Sequence, residues 1–386
     1  MDKKVFAAAV FVLALLSAMV IEASFVNSAS AQSSETITIK ADGSISPSTA
    51  PIANAGNVYT MTGNISGSVT IQKSDVIFDG AGYTIQSPAR SWALSLSPPT
   101  PIEPPLSNIT VRNVNVMEDP NATTWAWGIQ MGASVNSVIA NCTISNIIDS
   151  LGIWVEGTGN LIVGNNFTNV YNNAIYVCNR NNTIVGNHIT ACGTAIDFFS
   201  TSNNTIFGNH IADNNVGIHC FSQNPLPPGL QNIIYSNNFV NNSLTFLNEA
   251  VFIGDTGVLL VPAIVNVWDN GTMGNYWSDY NGTDANGDGI GDTPYFIDDH
   301  YPLEGANDTD HYPLMNPVDT TLIAANALPA PSSPELSPTA SATPTPSPSA
   351  SPTPSPAVPE MTFLATVMAL AVVTCTAIFI FKRKSP

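Results

Sequence analysis

Basic side chains are nearly missing. Lys and Arg number 10 in 386 residues against 28 Asp and Glu, for a net charge of -18. Five of the ten sit beside the two apolar ends (Lys3, Lys4, Lys382, Arg383, Lys384), so the stretch between keeps only Lys40, Lys73, Arg90, Arg112 and Arg180. This excludes nucleic acid as a partner, because phosphate recognition needs a basic footprint. It also argues against a lyase that would set Lys or Arg against an acidic polysaccharide. Cysteine is scarce as well. Cys142, Cys178, Cys192 and Cys220 lie outside the apolar ends, and Cys375 lies in the last one. Four cysteines in an oxidising location allow three pairings, and the sequence does not choose among them. Carboxylates between residues 108 and 250 are few and scattered, so no dense acid/base cluster announces an enzyme.

The ends have their own grammar. Residues 1–31 read as a secretory signal: Lys3 and Lys4, an apolar run, then Ala29-Ser30-Ala31 as a small-residue cleavage site. Residues 361–381 carry no charge over 21 positions, long enough to span a bilayer as a transmembrane helix, and Lys382-Arg383-Lys384 places residues 382–386 in the cytoplasm. Residues 321–360, with ATPTPSPSASPTPSP at their heart, read as an extended stalk that cannot bury a core. The expected product is a cell-surface ectodomain on a single-pass anchor.

What is abundant is Asn at a fixed spacing. Six copies of Asn, four residues, Asn occur: Asn108/Asn113, Asn136/Asn141, Asn160/Asn165, Asn182/Asn187, Asn204/Asn209 and Asn232/Asn237. They start 28, 24, 22, 22 and 28 residues apart. A period near 22 that tolerates insertions is the mark of a solenoid. Within NNTIVGNHITACGTAIDFFSTSN, short alternating runs punctuated by Gly-Asn indicate strands rather than helix. Such strands must stack about 4.8 Å apart on the next coil. Stacked Asn can then bond up and down, because an amide carries both donors and an acceptor. The predicted organisation is all-β: an N-terminal cap over residues 32–73, parallel β-helix repeats over 74–250 and an acidic C-terminal cap over 251–320.

These coils resemble a known family. The N-x-I-x-x-N repeats, the start GNVYTMTGNISGSVTIQKSDVIFDGAGYTIQ and the ending NVWDNGTMGNYWSDYNGTDANGDGIGDTPYFIDD with DHYPLM are similar to NosD-like right-handed parallel β-helix proteins, over about residues 35–317. Many of these are anchored archaeal surface proteins. The resemblance implies a right-handed coil and raises copper handling as one function. Val358-Pro359-Glu360 is also similar to archaeal C-terminal sorting signals.

Chemistry has three candidate places. Aligning the coils by Ile129, Ile153, Ile175, Ile196 and Ile218 gives an outward column Gln130, Trp154, Tyr176, Asp197, His219, with Glu156 beside it. Aromatics with acid and imidazole groups at the rim suit sugar rings, so Trp154, Tyr176 and Gln130 are the expected ligand-binding residues. Asp197, His219 and Glu156 are the catalytic alternative in a polysaccharide hydrolase, lyase or epimerase. A glycosidase needs two carboxylates at a set separation, and Asp197 and Glu156 are two coils, roughly 10 Å, apart. The second place is His188 over His210, which could hold copper or zinc. Asn166 and Asn238 flank them without supplying a third nitrogen or sulfur ligand, so the pair reads as stacked surface histidines. The third is a loop in which Asp284, Asn286, Asp288, the Ile290 carbonyl and Asp292 take positions 1, 3, 5, 7 and 9 of a calcium loop, with Tyr295 where the twelfth-position Glu belongs. Residues 269–319 hold 11 Asp and Glu and no Lys or Arg, so a structural Ca²⁺ would relieve repulsion. DHYPL, at residues 299–303 and 310–314, reads as a packing motif.

Eleven Asn-x-Ser/Thr sequons (Asn64, Asn108, Asn121, Asn141, Asn166, Asn181, Asn203, Asn241, Asn270, Asn281, Asn307) fit an exposed glycoprotein. If the repeated Asn point inward, Asn108 and Asn141 should stay unmodified. The balance of residues favours binding or an envelope role over catalysis, with glycans or envelope components as partners.

Overall fold

A computed structural model describes residues 35–100, 103–122, 124–148, 150–222, 231–250, 266–297 and 308–328. The expected signal, most of the stalk, the sorting segment and the anchor lie outside these. Among the described residues no helix is long and apolar enough to cross a membrane.

The chain winds as a parallel β-solenoid with three faces. One lap runs Asn173–Val177 on the first face, Thr183–Val185 on the second and His188–Thr190 on the third, then returns to the first at Thr194–Phe199. Each strand pairs in parallel with its counterpart one lap on: Ile175 with Ile196, Ile184 with Ile206, Ile189 with Ile211. Period-2 alternation sends these side chains inward on every face, and all six are fully buried. A short strand has no such core alone. Stacking supplies it, and each buried Ile contributes about 1.5–3 kcal/mol.

The coil is longer than expected at both ends. Glu35–Ile39 already pairs in parallel with Ile65–Ile71, so the expected N-terminal cap contains first-face strands. Its capping part is the antiparallel ribbon of Ile52–Ala55 with Val58–Met61. At the other end Asn266–Val267 and Tyr276–Trp277 continue the second and third faces past residue 250. Insertions after Ala250 and Val267 hide that last lap from periodicity. Its interior is closed by aromatics: Phe239 stacks on Trp277 at 4.7 Å, and Phe246 meets Trp268 edge-on at 5.0 Å.

The bends explain the Asn. Asn165, Asn187, Asn209, Asn237 and Asn275 form one buried column at the second bend. In each of the first four, the backbone N–H donates to the Oδ1 of the next Asn at 2.9–3.1 Å. The side-chain amide donates again to the same oxygen and to a core carbonyl. The ladder ends on a carboxylate: Asp310 Oδ2 accepts from the Asn275 N–H at 2.7 Å and from Trp277 Nε1 at 2.8 Å. DHYPL is therefore more than packing in its second copy; the first lies outside the described residues. A parallel ladder at the first bend runs Asn160, Asn182, Asn204, Asn232.

Two of the six expected pairs are not in these ladders. Val138 pairs with Leu161, an offset of 23, whereas Asn136 and Asn160 differ by 24. Asn136 and Asn141 therefore align with Gly159 and Gly164, and the ladder positions of that lap are Ser137 and Cys142, which donate their N–H groups to Asn160 and Asn165. Asn108, Asn113, Asn136 and Asn141 are exposed and left-handed, with φ of 55°, 53°, 49° and 52°. Asn tolerates that conformation where most residues do not.

One helix, Thr320–Ala327, stands where the stalk was expected to begin. Asp319 caps it by accepting from the Thr321 and Leu322 N–H groups. It lies on the outside of the second face, with Ala324 against Val163 and Val185. A Cβ on Gly186 would stand 2.4 Å from that of Ala324, so this left-handed glycine (φ 63°) also makes the seat.

Candidate functional site

The outward column stands as the alignment predicted: Gln130 pairs with Trp154, Trp154 with Tyr176, Tyr176 with Asp197 and Asp197 with His219. It is part of something larger. Trp125 lies 4.4 Å from Trp127, Trp127 stacks on Trp92 at 5.1 Å, and Trp92 reaches Trp154 at 5.7 Å. From there Tyr176, Phe199 and Phe221 follow at 6.3, 6.0 and 5.5 Å. All seven rings are half-buried and stand outside the core cluster. They place at least one ring on each of six successive laps of the first face. A lap rises about 4.8 Å, so the track runs for about 24 Å along the solenoid axis. Trp92, Trp125, Trp127, Phe199 and Phe221 were missed in sequence. Phe199 and Phe221 sit two residues past the aligned column, and the Trp cluster precedes the laps where spacing is regular.

Polar groups line the track. Ser97 and Ser95 hydroxyls share a hydrogen bond at 2.7 Å, and Ser95 donates to Gln130 Oε1 at 2.9 Å. Gln130 in turn bonds the Glu156 carboxyl, but burial dominates and pushes that group up to about 7. Trp154 Nε1 donates to Cys178 Sγ at 3.3 Å. No two of the four described cysteines are bonded to each other; burial holds the thiols of Cys142 and Cys192 up at about 12 and about 11.

Asp197 and His219 meet across one lap. Asp197 Oδ1 is 3.0 Å from His219 Nδ1, and Asp197 Oδ2 accepts from Asn173 Nδ2 at 2.7 Å. The imidazole Nε2 is buried, so the dyad presents no base to solvent. Glu156 stands two laps before Asp197 and two strand positions beyond its column, so these carboxylates do not face each other across one sugar bond.

His188 and His210 stack with ring centroids 4.6 Å apart, and burial lowers both imidazoles below their ordinary value. Their stack neighbours are Asn166 and Asn238, and Asn238 is bonded to the Val318 backbone. In the acidic loop Asp284 accepts from the Gly287 and Gly289 N–H groups, Asp288 from Ile290 and Asp292 from Ala285. Among the described residues no three His, Cys, Asp or Glu side chains converge into a metal-holding group.

Residues 106–282, fewer than half of the 386, match the family model described as "Periplasmic copper-binding protein (NosD)". No curated protein matches the chain. Among solved structures it is similar to the crystal structure of the periplasmic alginate epimerase AlgG, at 14% identity over 57% of this chain and 73% of that one, with a TM-score of 0.24.

Proposed function

We propose that this chain, a NosD-like right-handed parallel β-helix protein, binds carbohydrate along the aromatic track of its first face. One observation carries the reading: an aromatic ring on each of six successive laps, half-buried and outside the core. Aromatic faces take the apolar C–H faces of sugar rings, while Ser95, Gln130 and Glu156 offer rim hydrogen bonds. The periodicity suits an extended polymer lying along the axis better than a monosaccharide in a cleft. The shortage of Lys and Arg favours an uncharged glycan over a polyanion. The test is a glycan array with the exported protein, followed by titration of a bound oligosaccharide against the Trp154→Ala/Tyr176→Ala double variant. At least tenfold weaker binding is expected, about 1.4 kcal/mol. A parent that binds no glycan, or a double variant that binds as well as the parent, overturns the reading.

The enzyme reading comes second. Its support is Glu156, a carboxyl raised to the range of a general acid beside the track. Glycan turnover that vanishes in Glu156→Gln would establish it. Copper handling rests on the His188/His210 pair alone, and Cu(II) uptake no greater than that of His188→Ala would remove it. The proposed location is extracellular, on the expected anchor, and a structural Ca²⁺ is proposed for the acidic loop.

A further inference from the structure

Every sequon asparagine among the described residues is exposed: Asn64, Asn108, Asn121, Asn141, Asn166, Asn181, Asn203, Asn241, Asn270 and Asn281. Every asparagine of the two buried ladders lacks a sequon. The separation follows from the pleat. When an Asn at position i points inward, so does residue i+2, since alternate residues share a face. The residues two places after Asn160, Asn165, Asn182, Asn187, Asn204, Asn209, Asn232 and Asn237 are Ile162, Phe167, Ile184, Ile189, Ile206, Ile211, Ile234 and Phe239, all core side chains. A Ser or Thr there would put a hydroxyl in the apolar stack. The residue just before the ladder position behaves oppositely. Asn108, Asn141, Asn181 and Asn203 occupy left-handed bends, with φ of 55°, 52°, 60° and 61°. Two places on come Thr110, Thr143, Thr183 and Thr205, each half-buried at the outer side of a strand. Both halves of the acceptor motif thus face out together.

The distribution over the faces is uneven. None of the described first-face strands that carry the aromatic track, from Trp92–Leu96 to Val216–Ser222, contains a sequon, and the exposed Asn121, four residues before Trp125, lies in the turn ahead of them. Asn108, Asn141, Asn181 and Asn203 stand at bends, and Asn166 opens the third-face strand Asn166–Val170. Asn181 and Asn203 are neighbours on adjacent laps, joined through their side-chain amides.

We propose that the exposed bend asparagines, Asn108, Asn141, Asn181 and Asn203 with Asn166, are N-glycan acceptors, and that the first face is left bare so that its aromatic track stays open. The proposal rests on export of the ectodomain. The test is expression of the full chain in a host that N-glycosylates its secreted proteins, with protease accessibility on intact cells to verify export and glycopeptide mass spectrometry to read each Asn. Glycans are expected at most of these five positions. Thr183→Ala and Thr205→Ala should each lower the mass by one glycan and leave the melting temperature in place. Enzymatic removal of the glycans should leave oligosaccharide affinity within twofold. An exported chain with all five asparagines unmodified overturns the acceptor assignment. A several-fold gain in affinity on deglycosylation overturns the bare face. A chain that stays inside the cell fails on export instead, and accessibility distinguishes that case.

Discussion

Asp197 and His219 are held 22 residues apart in sequence and 3.0 Å apart in space by a single lap of the coil, with Asn173 from the preceding lap fixing the second carboxylate oxygen. Both side chains are about nine-tenths buried. Removing one partner of such a pair leaves the other uncompensated. Asp197→Ala is expected to cost about 3 kcal/mol in urea denaturation, and Asp197→Asn clearly less. Equal midpoints for Asp197→Ala and the parent would show the pair to be idle.

The Asn ladder makes a sharper contrast. Asn187 accepts from the N–H and the amide of Asn165 and donates to Ile162, Val185 and Asn209. Asn187→Ala strands several buried groups and should cost about 2–4 kcal/mol. Asn141→Gly, at an exposed left-handed bend, should be nearly neutral. Comparable losses at the two sites would mean that the one-residue phase shift is wrong.

Track length has a measurable signature. If a glycan lies along the axis, affinity should climb with each added sugar up to about five or six units, because each lap rises about 4.8 Å. Isothermal titration with an oligosaccharide series would reveal it. A plateau at the disaccharide would point to one local pocket instead.

Acid should protect part of this protein. Burial raises Glu156 to about 7 and Asp310 to about 6. A carboxyl raised on folding binds its proton more tightly in the native state. Its contribution is complete below the ordinary carboxylate range and is lost as pH rises through 6 to 7. His188 and His210, lowered by burial, act in the opposite sense: their contribution is present above the ordinary imidazole value of 6.5 and is lost as pH falls below it. The clean readout is therefore a difference. Glu156→Gln should melt higher than the parent at pH 8, and the gap should close by pH 5. A gap independent of pH would refute the shift.

Calcium is the last test. If the loop from Asp284 to Asp292 takes Ca²⁺, the melting temperature of the parent should rise by a few degrees over its value in EGTA, and Asp284→Ala should abolish the rise. Identical melting in both conditions removes the ion.

Much of this was legible in the sequence, for a physical reason. Coils that stack in register repeat their inward residues, so Ile153, Ile175, Ile196 and Ile218 announced one another and the outward column came with them. Three things were not legible. The phase of Asn136 was hidden because a left-handed bend and a ladder position both favour Asn, one residue apart. The final lap was hidden because insertions stretch its spacing from Asn237 to Asn275 to 38 residues. Trp92 and Trp125 were hidden because the track depends on rings meeting across laps whose lengths differ. The helix Thr320–Ala327 carried too weak a pattern to separate from the tract after it.

The bonds that link one asparagine to the next from Asn165 to Asn275 all point one way, and a carboxylate receives the last of them. Such a stack has a head and a tail, and its two ends cannot be exchanged. Its middle is a different matter, since Asn187 and Asn209 present the same socket to whatever precedes them. Excising one lap between them would rejoin like to like, shorten the molecule by a single storey and remove one ring from the track. The protein's reach is thus adjustable in whole steps, while its first and last storeys are fixed.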